Sequence, residues 1–213
     1  MKVIPKRTLL VTCVVILLPM FFGLALWNRL PERMPTHFDF SGTANGYSSR
    51  PFAVIGIPLF ILAMHLFCAV MLRADPKKQN ISEKMAQLVL WVCPAASLFA
   101  GLSVYLSALG FAINVSRFGM VFVGLIFIAI GNYLPKCRHN YTVGIRVPWT
   151  LDDEDNWNHT HRFAGYVWII AGVVTLLSVF LGHATVVWVA AIFVASLSPL
   201  VYSFVYAKRH GKI

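Results

Sequence analysis

Six apolar runs, each free of Asp, Glu, Lys and Arg, constrain this chain more than anything else in it. They cover residues 8–27, 52–72, 87–109, 118–134, 163–181 and 185–206. An α-helix rises about 1.5 Å per residue, so about 20 residues cross the roughly 30 Å hydrocarbon core of a bilayer. Soluble domains carry about 25% charged residues. This chain carries 12%, against 58% hydrophobic, and a soluble fold of its size has too little interior to hide that much apolar surface. The reading is an all-α integral membrane protein with six transmembrane helices. Pro19, Pro58, Pro94 and Pro199 lie inside runs, which membrane helices tolerate. The weakest divider is 110–117, between the third and fourth runs. Fusing those runs would place Asn114 and Arg117 in lipid, which is costly. The first run ends in bulky Leu26-Trp27 rather than a small-residue cleavage site, so it is read as a retained helix.

The net charge of +10 does not point to nucleic acid, because the basic residues form no single face or stripe. They cluster between the runs, as in the cytoplasmic loops of membrane proteins. With the N-terminus inside, 14 of the 18 Lys and Arg residues fall on the inner side. Both termini are therefore expected in the cytoplasm. The expected division is an N-terminal two-helix region, 1–84, with an extracellular loop at 28–51. A four-helix region, 85–213, follows with a structured cytoplasmic loop at 135–162. In the third run Ser97 and Gly101 are among several small pairs four apart, which let helix backbones approach. That run is expected to be the central, most crowded helix, and Ala191 and Ala195 suggest a similar contact in the last run. His65, the one ionisable residue near mid-membrane, is expected to hydrogen-bond a neighbouring helix.

The outer loop, 28–51, is broken by Pro31, Pro35, Gly42, Gly46 and Pro51, so no long helix fits. Thr36, Phe38 and Phe40 alternate with His37 and Asp39, and a short hairpin turning at Asn45-Gly46 is expected. His37 and Asp39, two apart on a strand, would point the same way as a hydrogen-bonded pair. Half of a metal or acid–base site is the alternative reading.

The inner loop, 135–162, is the most distinctive stretch. Residues 140–147 alternate like a strand around Gly144, and Pro148 ends any regular element. Thr150 with Asp153 reads as a capping box, and the acidic run 152–155 suits the first turn of a helix. In that helix Trp157 and His161 share a face, four apart. Trp149 and Trp157 are expected at headgroup depth. Arg146 is a permanent cation that can pair with the acidic turn or bind an anion. His159 and His161 stand two apart, whereas a helical metal pair wants four. His161 is read as a hydrogen-bonding link between loop and helix.

These two loops resemble the SdpI family of bacterial membrane proteins. The inner loop matches its C-terminal pattern through Asn140, Gly144-Ile145-Arg146, Pro148-Trp149-Thr150, Trp157 and His161-Arg162. The outer loop resembles the associated N-terminal domain of unknown function through Pro35, His37-Phe38, Gly42 and Tyr47. The resemblance implies a multi-pass protein of the bacterial cell membrane that protects its cell from a secreted peptide toxin. It also implies a signal transducer that holds a cytoplasmic transcriptional repressor at the membrane. On that reading the toxin-side residues are Pro35, His37, Phe38, Asp39, Gly42 and Tyr47. The cytoplasmic motif is Asn140, Gly144, Arg146, Pro148, Trp149, Thr150, Trp157, His161 and Arg162. The partners are the lipid bilayer, the toxin and the repressor, with no direct contact to nucleic acid.

A small transporter or channel for a neutral solute is the alternative. The runs hold no acidic or basic relay for ion or proton coupling, which argues against coupled transport. An enzyme would need a convergent nucleophile or acid–base set, and no such motif is present. No metal or cofactor is expected. Cys13, Cys68 and Cys93 lie within apolar runs and Cys137 in a loop, with no zinc spacing.

Overall fold

The structure, a computed structural model, describes residues 4–181 and 184–212. Among them are six helices long and apolar enough to cross a membrane. They are α1 (Lys6–Ala25), α2 (Ile57–Ala74, entered through a π-helical turn at Phe52–Gly56), α3 (Glu83–Ala108), α4 (Val115–Tyr133), α6 (Glu154–Ser178) and α7 (Ala184–Arg209). The short helix α5 (Pro148–Leu151) precedes α6. Two strands, β1 (Arg33–Phe38) and β2 (Ala44–Ser49), pair antiparallel between α1 and α2.

The expected break between the third and fourth runs is built from two local signals. Gly110 has φ +82° and follows the end of α3. Phe111 N donates to Leu106 O and Gly110 N to Ser107 O, the double closure that ends a helix at a left-handed glycine. Asn114 then starts α4, its Oδ1 accepting Arg117 N at 2.9 Å.

The described residues fall into two compact units, one made of 4–70 and 89–119, the other of 71–88 and 120–212. In the first, a buried cluster of Leu30, Met34, Ala53, Val54, Val104 and Tyr105 joins the hairpin to helix ends. α3 lies on α1 through its small face. Ser97 Oγ donates to Ile16 O at 2.8 Å, Tyr105 hydroxyl to Pro19 O at 2.7 Å, and a Cβ on Gly101 would come within 2.5 Å of Pro19. His65 is fully buried and bonds across to α1, as expected. Thr12 hydroxyl donates to its own helix at Thr8 O or Leu9 O, so it accepts from His65 Nε2 at 2.9 Å. Such interhelical bonds contribute about 0.6 kcal/mol on average.

In the second unit, α6 and α7 close on Ala171, Ala191 and Ala195, and Trp168 Nε1 donates to Ala195 O at 2.9 Å. α4 and α6 touch backbone to backbone at two glycine pairs. A Cβ on Gly131 would lie 3.0 Å from Gly165 O, and one on Gly165 would lie 2.9 Å from Gly131 O. Gly124 and Gly172 repeat the arrangement, at 3.1 and 2.6 Å. Contrary to the sequence expectation, α6 rather than α3 is the most buried of the six long helices. These glycines stand seven apart on each helix, outside the four-residue spacing that drew attention to α3.

Candidate functional site

The polar architecture of the second unit gathers at the 135–162 loop. Asn140 is its hub and is 1% exposed. Its Oδ1 accepts Thr142 N at 2.9 Å and Val143 N at 2.7 Å, the local bonding that makes Asn a turn former. Its amide donates to Arg138 O at 2.8 Å, Val143 O at 3.0 Å and Cys137 Sγ at 3.5 Å. This closed turn replaces the strand expected at 140–147, because the Asn side chain takes the backbone groups a strand partner would need.

The loop is pinned to α6 by His161. Its Nδ1–H donates to Trp157 O at 2.8 Å and its Nε2 accepts Ile145 N at 2.9 Å. Together these bonds fix a neutral imidazole with its hydrogen on Nδ1. The Trp157 ring stacks on His161 at 4.0 Å, meets His139 edge-on at 5.0 Å, and donates from Nε1 to Cys137 O at 2.7 Å. Gly144 has φ +121°, and a Cβ there would collide with His161 Nε2 and lie 3.0 Å from Trp157. The position therefore needs glycine for both conformation and space. Trp157 is fully buried, and its N–H finds a partner inside the loop. The Trp157–His161 face and the linking role of His161 stand as read.

Thr150 does not cap the long helix. It lies inside α5, where its hydroxyl accepts Val147 N at 3.1 Å and donates to Ile145 O at 2.8 Å. Asp153 is the N-cap of α6, accepting Asp155 N at 3.2 Å. Pro148 opens α5, and Trp149 Nε1 donates to Ser203 Oγ on α7 at 2.9 Å. Arg146 is exposed and donates from a terminal nitrogen to Tyr141 O at 2.6 Å. Arg162 is exposed.

Sequence reasoning missed the group that ties this loop to the end of α2. Asp75 is 4% exposed. Its carboxylate accepts Lys77 N at 2.7 Å, Tyr141 N at 2.9 Å and Thr142 Oγ1 at 2.6 Å. Asn80 amide donates to His139 O at 2.7 Å, and Lys77 Nζ donates to His139 Nδ1 at 2.6 Å. On the α7 side, buried Asn156 was also missed, although its amide donates to Ser203 O at 3.0 Å. Asp75 stands in Ala-Asp-Pro just past an apolar run and looks like an ordinary turn residue. Only the fold shows it spanning 66 positions to Tyr141. Asp75→Ala is expected to unfasten the loop while the long helices stay formed. Limited proteolysis will then cut between Arg138 and Arg146, where the parent chain resists. A cleavage pattern identical to the parent would refute the latch.

The hairpin candidates sit as follows. Pro35 is buried and registers with exposed Tyr47. Phe38 ends β1, half-buried. The His37–Asp39 pair does not form. His37 Nδ1 donates to Asn45 Oδ1 at 2.6 Å, while Asp39 accepts Ser41 N, Ser41 Oγ and Thr43 N. Those bonds, the Ser41 hydroxyl first, hold the Asp39 carboxyl below the usual carboxylate range. Register shifts on either side of His37 break the strict alternation that would have aligned the two. The turn lies at Asp39–Thr43, not at Asn45-Gly46, because Asp39 nucleates it. Gly46 is in β2, where a Cβ would come within 2.7 Å of His37 Cβ. Gly42, at φ +87°, packs on Asn114, whose amide donates to Ser41 O at 3.2 Å.

The buried nitrogens of Asn140, Asn156, Trp157 and His161 are all engaged in hydrogen bonds, while His139 Nε2 is buried with no hydrogen-bond partner. Burial pushes the Cys137 thiol up to about 11, far from a nucleophile's range. Tyr141, Arg146, Pro148 and Arg162 are exposed members of this stretch that carry the family pattern or flank it.

Fold and loops together define a multi-pass helical membrane protein whose polar residues are concentrated in two ordered connections, 28–51 and 135–162. Residues 136–203 match the SdpI/YfhL protein family, and residues 14–62 match a domain of unknown function, DUF1648. These two matches fall on the regions that hold the inner-loop and outer-loop motifs. It is also 24% identical to the Immunity protein SdpI of Bacillus subtilis (strain 168) over 206 residues, 94% of this chain and 96% of that relative. No solved structure matches the chain. Asp75, Lys77 and Asn80 fall between the two matched regions.

Proposed function

We propose that this protein is a bacterial membrane immunity protein that protects the cell carrying it from a secreted peptide toxin. The observation that carries the reading is the near full-length similarity to an immunity protein, with the ordered loop inside the family region. In this reading the hairpin at 28–51 faces outward and meets the toxin through Pro35, His37, Phe38, Asp39, Gly42 and Tyr47. The 135–162 loop faces the cytoplasm with both termini, where most Lys and Arg residues lie. Its exposed Arg146 and Arg162 present a basic surface to an acidic patch on a transcriptional repressor.

Two measurements test this. The chain is expressed in a toxin-sensitive bacterium and challenged with Bacillus subtilis culture supernatant, and survival is scored beside membrane capture of a tagged repressor. Expression is expected to restore growth, and Arg146→Ala to lower capture at unchanged protein level. No protection by the parent chain refutes immunity, and unchanged capture and survival in the variant refute the role of the loop. For orientation, Ser41→Cys is expected to react with an impermeant thiol reagent on intact cells, and Tyr141→Cys only after lysis. The reverse pattern would invert the topology.

A further inference from the structure

α1 and α3 leave between them an apolar slot of about 570 Å³. Its walls are Leu18 and Phe22 on α1, Leu98 and Leu102 on α3, and Phe111 just past the end of α3. A polar group beside it, the Tyr105 hydroxyl, is already spent on Pro19 O. The volume falls in the range of about 300–1,000 Å³ that holds a small organic ligand. In lipid such a space does not stand empty, since unfilled walls forfeit their dispersion contacts.

We propose that this slot binds one acyl chain of a membrane lipid whose headgroup sits at the hairpin end. Three observations select that occupant. First, the slot runs from Leu18 on α1 to Leu26 just past its end, and from Leu98 on α3 to Leu109 just past its end. At about 1.5 Å per residue this is roughly 12–16 Å, about half of a roughly 30 Å hydrocarbon core, the depth of one leaflet. Second, it ends beside Leu26, Leu109 and Phe111, at the helix ends from which the chain leaves for the hairpin and the 109–114 connection. Third, its walls are large and flexible. Helices associate in membranes through small residues, and the glycine here, Gly101, is already closed against Pro19. A Leu- and Phe-walled slot therefore suits a flexible tail and disfavours a second helix. Its lip is also the connection that Asn114 bonds to the hairpin, so a bound tail steadies the residues under the Asp39–Thr43 turn.

The full chain, extracted in mild detergent and examined by native mass spectrometry, is expected to retain phospholipid. Leu102→Trp fills the slot and is expected to cut the lipid-bound fraction by about tenfold or more. Leu125→Trp, the same change at an exposed site on α4, is expected to leave it intact. Lipid-free parent protein, or equal retention by the two variants, overturns the proposal. A second measurement needs no variant. Single-tailed lysophosphatidylglycerol should displace the retained lipid from the parent chain, and glycerophosphoglycerol, the headgroup without a tail, should not. Displacement by the headgroup alone, or by neither compound, rules out recognition of the tail.

Discussion

Asn140→Ala will convert Cys137 from an inert thiol into a reactive one. In the parent loop the Cys137 thiol is 5% exposed and is held up at about 11 by burial, only partly opposed by the Asn140 amide. Removing Asn140 leaves Thr142 N and Val143 N without the oxygen they share and strips three donations from the turn. Each orphaned buried group costs about 1–3 kcal/mol, so the closed turn gives way. A thiol freed into solvent returns to about 8.5, which raises its thiolate fraction near neutral pH by about two orders of magnitude. Maleimide labelling of the purified protein, mapped by mass spectrometry, is expected to show at least that gain at Cys137. Rapid labelling of Cys137 in the parent chain, or slow labelling in the variant, would show that Asn140 does not hold the loop shut.

The second large effect is expected at the contact of α4 with α6. In Gly172→Leu the first added carbon alone would lie 2.6 Å from Gly124 O and 2.7 Å from Ile128 Cγ1. A backbone carbonyl inside a helix cannot move aside as a side-chain tip can, so the helices must part. The expected cost is about 3 kcal/mol or more, seen as a collapse of the monodisperse fraction after extraction and a large drop in Tm. Gly119→Ala is the matched control. Its new carbon would meet Phe99 at 3.6 Å, ordinary contact, and stability should change by no more than about 0.5 kcal/mol. Equal behaviour of the two variants would mean that backbone proximity does not stabilise this pair.

Several features were legible before any coordinates. The apolar runs, the break at 110–117, the hairpin at 28–51 and the His65 bond to another helix all follow from local residue types. Helix ends were less so. A helix running into the apolar stretch at 163 was expected from a Thr150 cap, but α6 begins at Glu154, three residues later, because Asp153 rather than Thr150 caps it. Polar pairings were the least legible. His37 and Asp39 looked like partners because they are neighbours, yet each found a different partner within the same hairpin. The complete burial of Trp157 against His161 and His139 depends on the fold around it, not on its residue type.

The six helices long and apolar enough to cross a membrane, among the described residues, were legible in the sequence alone, since a bilayer selects a segment by the summed apolarity of its own residues and every backbone bond closes within it. The meeting of Asp75 with Tyr141 and Thr142, and of Gly124 and Gly131 with Gly172 and Gly165, was decided only by tertiary structure. A hydrogen bond or a close backbone contact depends on two distant positions arriving together, and neither position carries a mark of the other.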